Sequence, residues 1–264
     1  MKDKYTFNDF VDIMKRLRSE NGCPWDKVQT HESLRQCMIE EAYEAVEAIN
    51  NNDMDNLCEE LGDVLMQVVF HAQIEAEKGG FTIDDVIDGI SKKMISRHSH
   101  IFGTDKAETP EDVLETWEKN KKKEKGFESY TDMMRSVPKA LPALTKAYKV
   151  QKKAKDAGMD IKDINEALDK LKEEVNEFSQ EVGQNNARAD EEFGDILFAS
   201  VNISRFLGIN PEFSLTNSSE KFINRFEYIE KYAHAAGKDI KSLTANELDM
   251  LWESAKNFSN FKED

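Results

Sequence analysis

The sequence predicts an all-α fold built as two tandem helical bundles. Three observations predict it. With 12 Gly and 5 Pro among 264 residues, and 33% charged residues beside 39% hydrophobic ones, the chain favours helix over strand. Apolar side chains recur three and four residues apart, the period of a helix with one buried face. An acidic signature also occurs twice in the same order: Glu40-Glu41-x-x-Glu44 then Glu60-x-x-Asp63, and Glu173-Glu174-x-x-Glu177 then Glu192-x-x-Asp195.

The elements follow in order. Phe7, Phe10, Val11, Met14 and Leu17 mark a first helix over 7–20, broken at Asn21-Gly22-Cys23-Pro24. A second is expected over 33–49, closed by Asn50-Asn51-Asn52-Asp53, and a third over 55–78, stopped by Gly79-Gly80. A fourth follows Thr82 to about 98. Thr109-Pro110-Glu111-Asp112 reads as an N-cap with Pro at the first helical position and acids in the first turn, opening a helix through Trp117 with a solvated basic tail to Gly126. Gly126, Pro138 and Pro142 suggest a linker. The expected organisation is a first domain at 1–126, a linker at 127–142 and a second domain at 143–264. In the latter, helices are expected over 143–156, 163–182, 188–207 and 217–235, with a turn at 183–186 and a last helix capped by Thr244.

The repeat extends beyond the acids. Lys93-x-x-x-Arg97 matches Lys221-x-x-x-Arg225, and Trp117 and Trp252 each stand eight residues after a Thr cap. A period this long indicates domain duplication, not a solenoid.

Composition excludes several classes. A net charge of −16 argues against a nucleic-acid backbone as partner. No signal core or long apolar run is present, so a soluble cytoplasmic protein without a membrane partner is expected. Cys23, Cys37 and Cys58 form no Cys-x-x-Cys and no plausible disulfide framework.

Acids three apart on a helix share a face. On a helical wheel, Leu57, Leu61, Val64, Leu65 and Val68 form one apolar arc, with Glu60, Asp63, Gln67 and His71 beside it. Carboxylates at a core edge must be protonated or paired, and several together suit a hard divalent cation, Mg²⁺ or Mn²⁺. A di-iron bundle would need Glu-x-x-His, and no His here has a Glu three residues before it. No phosphate-cradling Gly loop or Ser/Cys nucleophile signature is present. The paired cations can clamp phosphates that acids alone would repel, and the two tryptophans can stack a base.

These residues resemble the all-α nucleoside triphosphate pyrophosphohydrolases, and the tandem order resembles the MazG branch. Gly22-Cys23-Pro24-Trp25-Asp26, Glu60-Leu61-Gly62-Asp63 and Arg97-His98-Ser99-His100-Ile101-Phe102 add to the likeness, with Ser99 standing where the family more often has Pro. The resemblance implies MazG-like helical domains assembled as a homodimer. It implies hydrolysis of an NTP or dNTP to monophosphate and pyrophosphate. Mg²⁺ would sit on Glu174, Glu177, Glu192 and Asp195, and equivalently on Glu41, Glu44, Glu60 and Asp63. Nucleotide contacts would map to Lys170, Leu171, Lys172, Glu173 and Glu174; to Arg188, Ala189, Asp190 and Glu191; and to Lys221, Phe222, Ile223, Asn224, Arg225 and Trp252. Lys93, Arg97 and Trp117 would be the first-half counterparts. Glu173 and Glu40, outside the ligand set, are candidates to orient or deprotonate the attacking water. The family places activity in the C-terminal copy, which ranks first. A metal-dependent nucleotide sensor without turnover, or a helical scaffold with solvated acids, are the competing readings.

Overall fold

The computed structural model describes residues 2–184 and 186–259. Of the turn expected at 183–186, Asn185 lies outside the described residues. Among the described residues the regular structure is helical throughout, in two compact units that meet in sequence between Lys125 and Gly126.

The first unit holds α1 (Phe7–Arg18), α2 (Pro24–Val28), α3 (His31–Asn50), α4 (Met54–Glu77), α5 (Ile83–Arg97), α6 (Ser99–Phe102) and α7 (Pro110–Lys125). Starts are set by side-chain caps. Thr6, Thr30 and Thr82 each accept from the backbone N–H three residues on, and the third residue of the helix bonds back to the cap, closing reciprocal capping boxes. Helices α3 and α4 form the central antiparallel hairpin. Met14, Leu34, Val69, Phe70 and Ile74 make its core, where α1 crosses the end of the hairpin away from its turn.

The apolar arc expected on α4 is only partly buried. Leu61 and Leu65 are 55% and 41% exposed, while the buried stretch lies further along at Val69, Phe70, Ala72 and Ile74. The reason is that α1 joins the core toward the C-terminal end of α4, so among the described residues the apolar residues near the hairpin turn are covered only in part.

The second unit holds α8 (Tyr130–Arg135), α9 (Ala143–Asp156), α10 (Ile164–Glu181), α11 (Asn186–Phe206), α12 (Pro211–Ala235), a single 3₁₀ turn (Ile240–Ser242) and α13 (Ala245–Ser259). The hairpin recurs as α10 and α11, with α9 crossing α11 as α1 crosses α4. Residues 127–142 are not bare chain: α8 packs on α9 and buries Met133, with Val137 buried just beyond it. Helix α12 begins at Pro211, six residues before the expected start, because Asn210 caps it through bonds from the N–H groups of Glu212 and Phe213. Gly79 after α4 and Gly208 after α11 take φ of 77° and 67°, the left-handed residue that ends a helix in both copies.

Candidate metal and nucleotide site

The hairpins bring the duplicated acids together. Carboxylate oxygens of Glu41, Glu60 and Asp63 lie within 4.8 Å of one another, and so do those of Glu174, Glu192 and Asp195. In each case α3 or α10 supplies one acid and α4 or α11 supplies two, one turn apart. Glu44 and Glu177 stand outside these closest triads, yet each acts on them. Desolvation, followed by the charge of Glu44, raises the Glu60 pKa; desolvation, followed by the charge of Glu177, raises that of Glu192. Glu41 is raised by desolvation and then Asp63, and Glu174 by desolvation and then Glu177. Crowded carboxylates that hold their protons too tightly are what a divalent cation relieves. The donor set is all hard oxygen, which fits Mg²⁺ or Mn²⁺.

Beside the first cluster, buried Gln67 donates Nε2 toward Glu41 at 3.5 Å, and its Oε1 has no partner among the described residues. Four residues past Asp195 the second copy has Ala199 instead.

The acids expected to handle water face outward. Glu173 pairs with Lys170 at 2.7 Å, and Glu40 accepts from Gln36 at 3.0 Å. Both neighbour a cluster acid in sequence, and each contributes to raising it. Lys172 pairs with Asp169 at 2.8 Å, and Leu171 is half-buried. Arg188 meets Glu181 at 3.1 Å at the start of α11, where Ala189, Asp190 and Glu191 follow.

The Arg/Trp pairs are placed alike and partnered differently. The Arg97 guanidinium lies 5.2 Å from the Trp117 ring, and that of Arg225 lies 5.5 Å from the Trp252 ring. Each contact carries a cation–π attraction. Arg97 is buried and donates Nε and Nη2 to Glu124 Oε2 at 3.0 and 2.9 Å, while Ser96 donates to the other carboxylate oxygen at 2.5 Å. Hydrogen bonds from Ser96 and then Arg97 hold the Glu124 pKa down. Arg225 instead keeps a buried Nε with no partner among the described residues. Phe222 packs on Trp252 at 5.2 Å, and Lys221, Ile223 and Asn224 are exposed, as is Lys93. The acid that neutralises Arg97 was not foreseen from sequence: Glu124 sits in a run of lysines that reads as a solvated tail.

A further feature invisible in the spacing is a cavity of about 450 Å³ in the second unit, adjoining Glu174 and Asp195.

Residues 29–102 and 162–229 match the MazG nucleotide pyrophosphohydrolase domain, and both segments contain a complete acidic cluster. The chain is 42% identical over 250 residues to the nucleoside triphosphate pyrophosphohydrolase/pyrophosphatase MazG of Thermotoga maritima, covering 95% of each chain. It is 39% identical over 248 residues to the nucleoside triphosphate pyrophosphohydrolase of Escherichia coli, covering 92% of this chain and 94% of that one. It is 50% identical over 256 residues to the uncharacterized Bacillus subtilis protein YabN, spanning 96% of itself but about half, 52%, of YabN. Two matched domains in one chain, each holding its acids in the same hairpin, make this protein a member of the MazG nucleotide pyrophosphohydrolase family.

Proposed function

We propose that the chain hydrolyses nucleoside triphosphates, NTP or dNTP, between the α- and β-phosphates, releasing nucleoside monophosphate and pyrophosphate. The observation that carries this is the pair of three-carboxylate clusters, each closed within 4.8 Å, inside the two matched domains. The relatives named as nucleoside triphosphate pyrophosphohydrolases support it along nearly their whole length.

In the C-terminal copy, Glu174, Glu192 and Asp195 would hold the divalent cation, with Glu177 completing the set. Glu41, Glu60, Asp63 and Glu44 would do the same in the first. Mg²⁺, or Mn²⁺ in its place, supplies charge neutralisation for the phosphates and for the departing pyrophosphate. Arg225 offers a guanidinium not already spent on an acid, and with Lys221 it draws the polyphosphate to a surface whose net charge would repel it. Water attacks the α-phosphorus as the bond to the bridging oxygen breaks. Glu173, and Glu40 in the first copy, orient that water or take its proton. Lys170, Leu171, Lys172, Arg188, Ala189, Asp190, Glu191, Phe222, Ile223, Asn224 and Trp252 frame the nucleotide.

The working form we assign is a homodimer in the cytoplasm. Ile39, Tyr43, Leu61 and Leu65 on the first hairpin, and Phe193 and Leu197 on the second, are apolar and exposed, as expected of a helical face that a second copy covers. Among the described residues no helix is long and apolar enough to cross a membrane.

The test is product identity. The purified chain is incubated with each NTP and dNTP and Mg²⁺, with and without chelator. Chelator-sensitive monophosphate plus pyrophosphate is the expected result. Diphosphate plus orthophosphate would misplace the attack, and binding without products would make the protein a nucleotide sensor.

A further inference from the structure

The two hairpins differ most where the crossing helix meets them. Seven residues before Glu41 stands Leu34, and seven past Asp63 stands Phe70; both belong to the solid core of the first unit. The same offsets from Glu174 and Asp195 give Ala167 and Asn202, which line the 450 Å³ cavity. Smaller side chains at matched positions have opened a space where the first copy has packing. That volume is within the range of small-ligand sites.

The cavity has mostly apolar walls, from Val150, Ala154, Ala167, Phe198 and Ala199. Charged side chains of Asp160, Lys170, Glu174, Asp195 and Arg205 also line it, together with two amides, Gln151 and Asn202. Gln151 is only 7% exposed and donates Nε2 to the Phe198 carbonyl at 2.8 Å, which fixes which way its amide faces. Its Oε1 is left buried with no partner among the described residues. Such an acceptor is unfavourable in a folded protein unless a ligand or water meets it. Asn202 Oδ1 accepts from Arg205 Nε at 3.0 Å and Nη2 at 2.8 Å, and Arg205 is itself tied to Asp160. That leaves the Asn202 Nδ2 as its donor. A mostly apolar cavity with one unmet acceptor and one amide donor in its lining suits the edge of a nucleobase, which offers an N–H next to a lone pair.

Resting on the pyrophosphohydrolase reading above, we propose that this cavity is the base subsite of the C-terminal copy, with Gln151 Oε1 accepting from a base N–H and Asn202 Nδ2 donating to the neighbouring base acceptor. Gln151 and Asn202 are then specificity-determining residues. The first copy, with Phe70 and Leu34 filling the matching place, has no equivalent.

The experiment compares kcat/KM for the fastest-cleaved nucleoside triphosphate with kcat/KM for ribose 5-triphosphate, which lacks a base, using the full chain with Mg²⁺. The wild type is expected to favour the nucleotide. Gln151→Met, close in volume, is expected to shrink that preference about 10- to 100-fold, the worth of one buried hydrogen bond with its desolvation. Ala199→Gln, which places in the cavity the residue the first copy carries, is expected to shrink it as well. An unchanged preference in both variants, or equal loss on both substrates, overturns the proposal. A wild type that cleaves both substrates equally also overturns it while leaving the pyrophosphohydrolase reading intact. A wild type that cleaves neither removes that reading and this inference with it.

Discussion

The two halves keep the same clustered acids and differ in what surrounds them. In the half that holds Glu41, Glu60 and Asp63, Leu34 and Phe70 are packed in the core and Arg97 is neutralised by Glu124. Around Glu174, Glu192 and Asp195 there is a cavity, and Arg225 has an unpartnered Nε. The acids by themselves therefore do not distinguish a working copy from a supporting one. Both halves keep an amide oxygen unpartnered among the described residues, Gln67 Oε1 in the first and Gln151 Oε1 in the second, so the difference lies in the cavity of the second half and in the acid that neutralises Arg97 in the first.

The sharpest way to break this comparison is to remove one acid from each half. Asp195→Asn is expected to lower kcat for nucleoside triphosphate hydrolysis about 10³-fold or more, as loss of a metal ligand at a phosphoryl site does. Asp63→Asn should cost at least 100-fold less, by the ordering of the two copies proposed here. Equal losses in steady-state assays would show that packing Leu34 and Phe70 into the core does not prevent turnover.

The second contrast is in packing. Leu34 is 2% exposed in the first core, so Leu34→Ala should destabilise the protein by about 2–5 kcal/mol through lost burial and a residual void. The reciprocal change, Ala167→Leu, puts a side chain into existing space and should shift stability by less than about 1.5 kcal/mol, while lowering nucleotide affinity. Urea denaturation with an activity assay reads both. A large loss from Ala167→Leu would mean that the cavity is not free volume.

Most of the scaffold was legible because helices declare themselves locally. The period of apolar residues, the Thr caps and the terminal glycines located the long helices within a few residues. The start of α12 was misread because its first turns, from Ser214 to Ser219, are mostly polar and carry no stripe; the Asn210-Pro211 signal was the one to follow. Helices α2, α6 and α8, at 5, 4 and 6 residues, are too short to show a period. In the site, spacing of three along one helix revealed the acids. The Glu124 partner of Arg97, 27 residues away, and the orphaned Gln151 Oε1 depend on which side chains meet across helices, which spacing does not encode.

A smaller effect separates the two arginines. Arg97→Met breaks a mostly buried pair and leaves Glu124, about one-third exposed, without its cation. Discounted for that exposure, the loss should be about 1–3 kcal/mol. Arg225→Met removes a donor that is already unsatisfied, so stability should change by less than about 1 kcal/mol, and the cost should appear as a raised KM. Melting curves and KM values for both variants test the division. A destabilised Arg225→Met with an unchanged KM would reverse the assignment.

The smallest effect concerns the caps before the two tryptophans. Asp112 and Glu247 occupy matching positions, each bonded to its Thr cap. Glu247 is lowered to about 2, first by Lys238 at 2.7 Å and then by Thr244, whereas Asp112 is lowered first by the Glu108 N–H and then by Thr109. Both folded values lie below the unfolded ones. Each carboxylate therefore stabilises its helix above its unfolded pKa, and the contribution is lost as pH falls through the folded value. For Glu247 that window runs from the ordinary glutamate value of 4.5 down to about 2. Salt screens an exposed ion pair but hardly alters a backbone hydrogen bond. In carboxyl NMR titrations, raising the salt to about 1 M, where the screening length is only about 3 Å, should move the Glu247 midpoint upward more than that of Asp112. Lys238→Met should abolish the difference in salt response. Equal salt shifts in the unmodified protein would mean that the Thr244 cap, not Lys238, holds Glu247 ionised.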